Sequence, residues 1–216
     1  MITMTSFNNE FEIYPEYSAV APKGYPSRSI KLAIKLLKAV GAQSVIEVGC
    51  GLLANTEYLL RSFEWVVLTD TQFQLNRIKG KLINLKTKYP SLYAVIPSEN
   101  FKHSRLNFDS AILLNVLHVL PSERQRIELL KDVYSNLREG GIIYVDSPRG
   151  EKYYRRFLKN GQRFYDGWMI LRGKYATFYT ELTTEKIERY LYEVGFEPIY
   201  YPKLSHRVIV IGEKPL

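Results

Sequence analysis

Apolar positions recur at helical spacing over residues 27–40, where Ile30, Ala33, Ile34 and Leu37 share one face. Ser27 or Ser29 can cap that helix and Gly41 can end it. The period then changes. The runs at 44–48 (SVIEV), 65–69 (WVVLT) and 109–114 (DSAILL) are apolar without alternation, as expected of strands covered on both faces. LYAVI (92–96) and GIIYV (141–145) add two more strands. Between them the pattern predicts helices over 55–63, 72–88 (closed by Pro90) and 122–138 (opened by Pro121-Ser122 and ended by Gly140-Gly141). A last helix over 183–194 has Thr183 or Thr184 as cap and Gly195 as stop. FEPIYY (196–201) and RVIVI (207–211) follow with no helix between them and read as a hairpin.

Strands alternating with helices predict a parallel sheet, and the final hairpin requires one strand to run the other way. The expected fold is therefore α/β, doubly wound: a mostly parallel seven-stranded sheet with an antiparallel last strand and helices on both faces. Residues 1–26 precede it as an N-terminal flap, in which Tyr14, Tyr17 and Tyr25 are placed to cover a ligand. Residues 27–216 form the main domain, with an insert at about 147–182 that has no place in the minimal fold and, starting at the carboxyl edge of the sheet, is expected to cover the site as a substrate lid.

Composition narrows the class. Of 216 residues, 46% are hydrophobic and 24% charged, an ordinary globular balance. No apolar run is long enough to span a bilayer, so no membrane partner is expected. The first residues lack a basic segment followed by an apolar one, and Cys50 is alone, so a reducing cytoplasm is the expected compartment. One cysteine and three scattered histidines (His103, His118, His206) predict no metal site.

The net charge of +8 is unevenly placed. Segments 71–108 and 149–175 each carry +6, and the rest of the chain is slightly acidic. The second segment lies in the insert and interleaves eight Lys or Arg with seven aromatics. Guanidinium groups bind carboxylate or phosphate, and aromatic rings stack on planar groups. The same mixture suits single-stranded nucleic acid, or a helix with a solvated basic face and an aromatic core face. Lysines on 72–88 read as a solvated surface.

The sharpest motif is Glu47-Val48-Gly49-Cys50-Gly51, directly after the first core strand. Two glycines at a strand-to-helix turn let backbone approach a ligand closely, and the next helix presents free N–H groups there. Asp70 closes the second strand, where a carboxylate can accept from both hydroxyls of a ribose. After the fourth strand stands Asn115-Val116-Leu117-His118-Val119-Leu120. Taken in order with the terminal hairpin, these features resemble the class I S-adenosylmethionine (SAM)-dependent methyltransferases over about 27–148 and 180–212.

The resemblance implies SAM as cofactor. It places Gly49 and Gly51 along the methionine part, Asp70 at the ribose and Glu99 or Asn100 beside the adenine. Asn115 would lie below the sulfonium, and Glu47 would orient the turn or the amino group of the cofactor. A third family glycine is replaced by Leu53, which suggests a narrower pocket. Cys50 reads as a packed small residue. Where a general base is needed, His118 and Asp146 are the candidates, and His118 can equally be a packing residue.

The expected partner is a small anionic or aromatic acceptor, with nucleic acid as the alternative. The Asn-Pro-Pro-Tyr type motif of amine methylation on bases is absent, as is a cysteine nucleophile at the site edge. Two rival readings stay open. Gly49-x-Gly51-x-x-Ala54 with Asp70 also fits a dinucleotide fingerprint, hence a nicotinamide oxidoreductase. A non-catalytic member of the same fold could bind nucleic acid.

Overall fold

The computed structural model describes residues 3–6, 9–19 and 24–216. Twelve strands among them form two sheets. The larger contains β3 (Ser44–Val48), β4 (Trp65–Asp70), β5 (Leu92–Pro97), β6 (Phe108–Leu114), β7 (Leu137–Pro148), β11 (Glu197–Tyr200) and β12 (Arg207–Glu213). Its order is β11-β12-β7-β6-β3-β4-β5. All neighbours are parallel except those of β12, which runs against both β7 and β11. This is the expected seven-stranded sheet with its reversed last strand.

Both faces are covered because β3, β4 and β6 put apolar residues on each. Val45, Val66, Leu68 and Ile112 face α1 (Arg28–Ala39), with Ile30, Ala33 and Leu37 packed on them. Ile46, Val67, Ala111 and Leu113 face α6 (Glu123–Asn136) and α8 (Thr184–Val194). Ser27 caps α1 by accepting from Ile30 N–H (3.2 Å), and Thr183 caps α8. Gly195 ends α8 at φ +107°.

Three helices differ from expectation. The helix over 55–63 shrinks to α2 (Thr56–Leu60). The helix over 72–88 breaks at buried Ile78 into α3 (Gln72–Arg77) and α4 (Lys79–Lys88), beside the weak helix former Gly80. The helix over 122–138 stops at Asn136, not at the Gly140-Gly141 pair. Asn136 is buried and ties Leu106 N–H to Phe101 and Asp132 carbonyls, and Leu137 then enters β7 opposite Phe108. A four-residue α5 (Ser98–Phe101) follows β5.

The insert was expected only as a covering segment, and it holds more structure than that. It contains α7 (Glu151–Asn160), then β8 (Gln162–Phe164), β9 (Gly167–Arg172) and β10 (Tyr175–Tyr179). These strands join the N-terminal β1 (Thr3–Ser6) and β2 (Asn9–Ile13) in a second sheet, ordered β1-β2-β10-β9-β8. The two ends of the sequence pattern that lay outside the minimal fold thus complete each other.

Arg126 fastens this second sheet to the main domain. Its side chain is fully buried and donates to both oxygens of Asp166 (2.7 and 2.9 Å), at the β8–β9 turn, and to the Leu117 and Leu120 carbonyls. Lys186 on α8 completes the pairing with Asp166. Burial alone would raise that carboxyl, but the bonds from Arg126 and Lys186 hold it down at about 2.

Candidate functional site

The carboxyl ends of β3, β4, β6 and β7 converge on one edge. After β3 the chain turns through Gly49 at φ +71°, Gly51 at φ +55° and Leu53 at φ +68°. A Cβ on Gly49 would stand 2.7 Å from Val116 Cγ2, so the first turn packs tightly against the loop after β6. Leu53 occupies the backbone region that a glycine takes without strain, which is where the family pattern has its third glycine. The Leu53 side chain is buried, so packing offsets the strain.

Asp70 clasps this turn. Its Oδ2 accepts from Gly51 N–H (2.7 Å) and its Oδ1 from Thr71 N–H (2.8 Å). Burial pushes its carboxyl up to about 6 despite these two donors, and the charges of Glu16 and Glu99 add to the rise. The edge beside Asp70 therefore concentrates negative charge. Glu47 lies beneath, buried, accepting from Thr56 Oγ1 (2.6 Å) at the start of α2. Burial raises its carboxyl to about 8. Its hydrogen bond ties β3 to the start of α2.

Glu99 and Asn100 sit exposed on α5, beside Asp70. Glu99 Oε1 accepts from Gln72 N–H at 3.4 Å. Asn115 is exposed at the end of β6, with φ +61°. Its N–H donates to the Asp146 carbonyl (3.0 Å), and its Oδ1 accepts from Arg207 Nη2 (2.7 Å).

The two expected bases are both buried. His118 is 2% exposed, and burial, helped by the Arg207 and Arg126 charges, drops its imidazolium to about 3. Its Nδ1 has no hydrogen-bond partner among the described residues, and Nε2 lies 3.5 Å from the Tyr153 hydroxyl. Asp146 is 1% exposed and ion-paired with Arg207. Burial raises its carboxyl to about 6 against that pairing. His118 packs as a buried ring, and Asp146 pairs with Arg207. Cys50 is also buried, its thiol pushed well up by burial.

Sequence reasoning missed Arg207, Glu16 and Arg126. Arg207 opens β12, and the antiparallel register that sets it opposite Pro148 carries its head over Asp146. A basic residue leading the reversed strand was the available signal. Glu16 lies in a short turn, Pro15–Ser18, and its Oε1 accepts from Thr71 Oγ1 (2.6 Å). Next to it Tyr17 stacks on Tyr175 at 4.1 Å, with the Arg77 guanidinium 5.0 Å from its ring centre. A Cβ on Gly51 would come within 3.2 Å of Ala19. Residues 15–19 therefore lie over Gly51, Asp70 and Thr71. Tyr25 lies apart, lining a recess of about 600 Å³ with Leu52–Ala54 and α4.

On α7 the aromatic side chains turn inward. Phe157 stacks on Tyr179 at 3.8 Å, and Tyr154 is buried, whereas Lys152, Arg155 and Lys159 are exposed. The helix thus has the basic outer face and aromatic inner face that the sequence left as one of its readings. Among the described residues no group of three metal-ligating side chains occurs, and no helix is long and apolar enough to cross a membrane.

No family model matches the chain. An uncharacterized Escherichia coli protein, YmfD, is 22% identical over 202 residues, covering 90% of both chains. A tRNA (carboxymethyluridine(34)-5-O)-methyltransferase of Saccharomyces cerevisiae is 25% identical over 170 residues. That match takes in 76% of this chain and spans little more than half of the yeast protein, 56%. Among solved structures, an S-adenosylmethionine-dependent methyltransferase of Clostridium acetobutylicum superposes with a TM-score of 0.65 at 15% identity. The superposition covers 87% of this chain and 91% of that one, and it establishes the fold.

Proposed function

We propose that this chain, which has the fold of the class I SAM-dependent methyltransferases, transfers a methyl group from SAM to a small-molecule acceptor. The observation that carries the reading is the Asp70 clasp. Each Asp70 oxygen accepts one backbone N–H and keeps a free lone pair, so the pair can receive a vicinal diol. Glu16 and Glu99 flank it, and their charge suits a ligand with a net positive charge such as SAM. The Gly49 turn, too tight for a Cβ, lets backbone approach the amino-acid end.

In this reading Gly49 and Gly51 hold the methionine part, Asp70 the ribose, Glu99 and Asn100 the adenine side, and Asn115 the sulfonium edge. Bound SAM supplies an electrophilic methyl group. Asn115, fixed by Arg207, sets the direction along which an acceptor atom can approach. Residues 15–19 act as a flap that keeps water from the turn. With His118 neutral and buried and Asp146 paired, the chain contributes alignment more than proton removal, and the acceptor's proton leaves to solvent. Holding two reactants in line can supply most of such a rate.

The likeness to a tRNA-modifying enzyme and the exposed basic face of α7 favour one second reading, an RNA acceptor. Thermal stabilisation by S-adenosylhomocysteine but not by NADH tests the cofactor. Transfer of labelled methyl into separate tRNA and metabolite pools tests the acceptor. A polynucleotide acceptor would show affinity falling steeply with salt. Stabilisation by NADH alone, or by neither ligand, would remove the methyltransferase reading.

A further inference from the structure

A second cleft of about 640 Å³ opens at the same sheet edge, beyond Asn115, where the loop before β12 faces the start of α7. Its lining includes Arg149, Lys203, His206 and Arg207, together with Tyr201 and Ser205. No Asp or Glu is among the lining residues, so Arg149 and Lys203 face the cleft without an acid in its lining, beside Arg207, whose charge is paired with Asp146 from behind. Acids touch the lining residues from behind and at the rim: Asp146 pairs with Arg207, Glu188 accepts from the Tyr201 hydroxyl, Glu181 accepts from Gly150 N–H (2.8 Å), and Glu185 feels the Arg149 charge.

Arg207 joins the cleft to the proposed transfer site. Its Nε donates to Asp146 Oδ1 and its Nη2 to Asn115 Oδ1, which leaves Nη1 without a hydrogen bond among the described residues, on a side chain that lines the cleft. Side-chain exposure is 18% for Arg207 and nil for Asp146. The buried carboxylate fixes the guanidinium plane, and a fixed, partly desolvated guanidinium is a far better anion receptor than a solvated one. Neighbouring Lys203 and Arg149 add charge, and Ser205 and His206 add shorter-range donors.

We propose that this cleft holds an anionic group of the methyl acceptor, a carboxylate or a phosphate, with Arg207 as its anchor. The inference rests on the methyltransferase reading for the word acceptor, but the anion site itself does not depend on that reading. Arg207 then does two things at once. It orients Asn115 at the transfer edge, and it sets the acceptor at a fixed offset from that edge. An acceptor without the anion would leave Nη1 unmatched and would bind out of line.

The test uses the full chain with inorganic phosphate and benzoate as probes, their binding followed by NMR, and S-adenosylhomocysteine binding followed by calorimetry. At least one probe should bind wild type saturably. Its affinity should fall tenfold or more in Arg207→Met and in the double variant Arg149→Ala/Lys203→Ala. The double variant lies away from Asp146 and Asn115, so it should keep wild-type stability and S-adenosylhomocysteine affinity. It decides the matter if Arg207→Met fails to fold. Probe binding that is absent from wild type, or unchanged in the double variant, overturns the anion site. Loss of S-adenosylhomocysteine binding by wild type, with probe binding intact, overturns the methyltransferase reading and leaves the anion site standing.

Discussion

Replacing Asp70 with Asn separates what the carboxylate costs the fold from what it does for a ligand. In the folded chain the carboxyl is raised from 3.8 to about 6, chiefly by burial. At 1.36 kcal/mol per pKa unit, holding the charge at neutral pH costs about 3 kcal/mol. The amide removes that cost. It also presents only one oxygen to two backbone donors, Gly51 and Thr71 N–H, so one donor loses its partner at roughly 1–3 kcal/mol.

The variant should therefore be as stable as wild type at pH 8, or more stable by up to about 2 kcal/mol. The sign with pH follows from linkage. The folded state binds more protons than the unfolded state between about pH 4 and 6, so wild-type stability falls as pH rises through that window and is flat above it. The amide side chain does not titrate, so the variant lacks this limb and its advantage should grow from pH 4 to 7. Affinity moves the other way. Loss of a charged acceptor should weaken S-adenosylhomocysteine by about 1–3 kcal/mol, or roughly fivefold to 150-fold. Urea denaturation at pH 4.5 and 8 with calorimetry at pH 8 measures both. A stability difference that is the same at the two pH values, or an unchanged affinity, refutes the reasoning.

Three further outcomes are expected. Leu53→Gly relieves a left-handed backbone at φ +68° but empties a buried site, so urea denaturation should show a net loss of about 1–3 kcal/mol; a gain would mean that strain outweighs packing there. Arg126→Met leaves Asp166 with Lys186 as its cationic partner and strips the Leu117 and Leu120 carbonyls of this donor, so stability should fall by about 1–3 kcal/mol, with protease cleaving first near the β8–β9 turn; cleavage no faster than in wild type would contradict the fastening role. His118, lowered to about 3, should show neutral-ring NMR shifts throughout pH 5–8, and a midpoint within that range would restore it as a candidate base.

The main sheet was legible because its central strands are buried on both faces, which leaves an unbroken apolar run in the chain. The glycine turn and Asp70 were legible because each sits at a strand end, where local order alone fixes position. The second sheet was not. Its β8 has three residues, and its closing contacts join β2 to β10 across most of the chain. Helix ends were misplaced where a side chain decided them, as Asn136 does by bonding to Phe101, Leu106 and Asp132.

Asp146 shows the limit most directly. From sequence it is an acid at a strand end on the catalytic edge, which is where a base would stand. Its role turns on a residue 61 positions later, because β12 runs antiparallel and its register brings Arg207 over the carboxylate. A free carboxylate there would repel an anionic acceptor. Paired with Arg207, it fixes a guanidinium between Asn115 and a cleft with no acid in its lining. Reversal of one strand thus turns an acidic corner into a place for an anion, and that reversal is the feature that distinguishes this sheet from an all-parallel nucleotide-binding one.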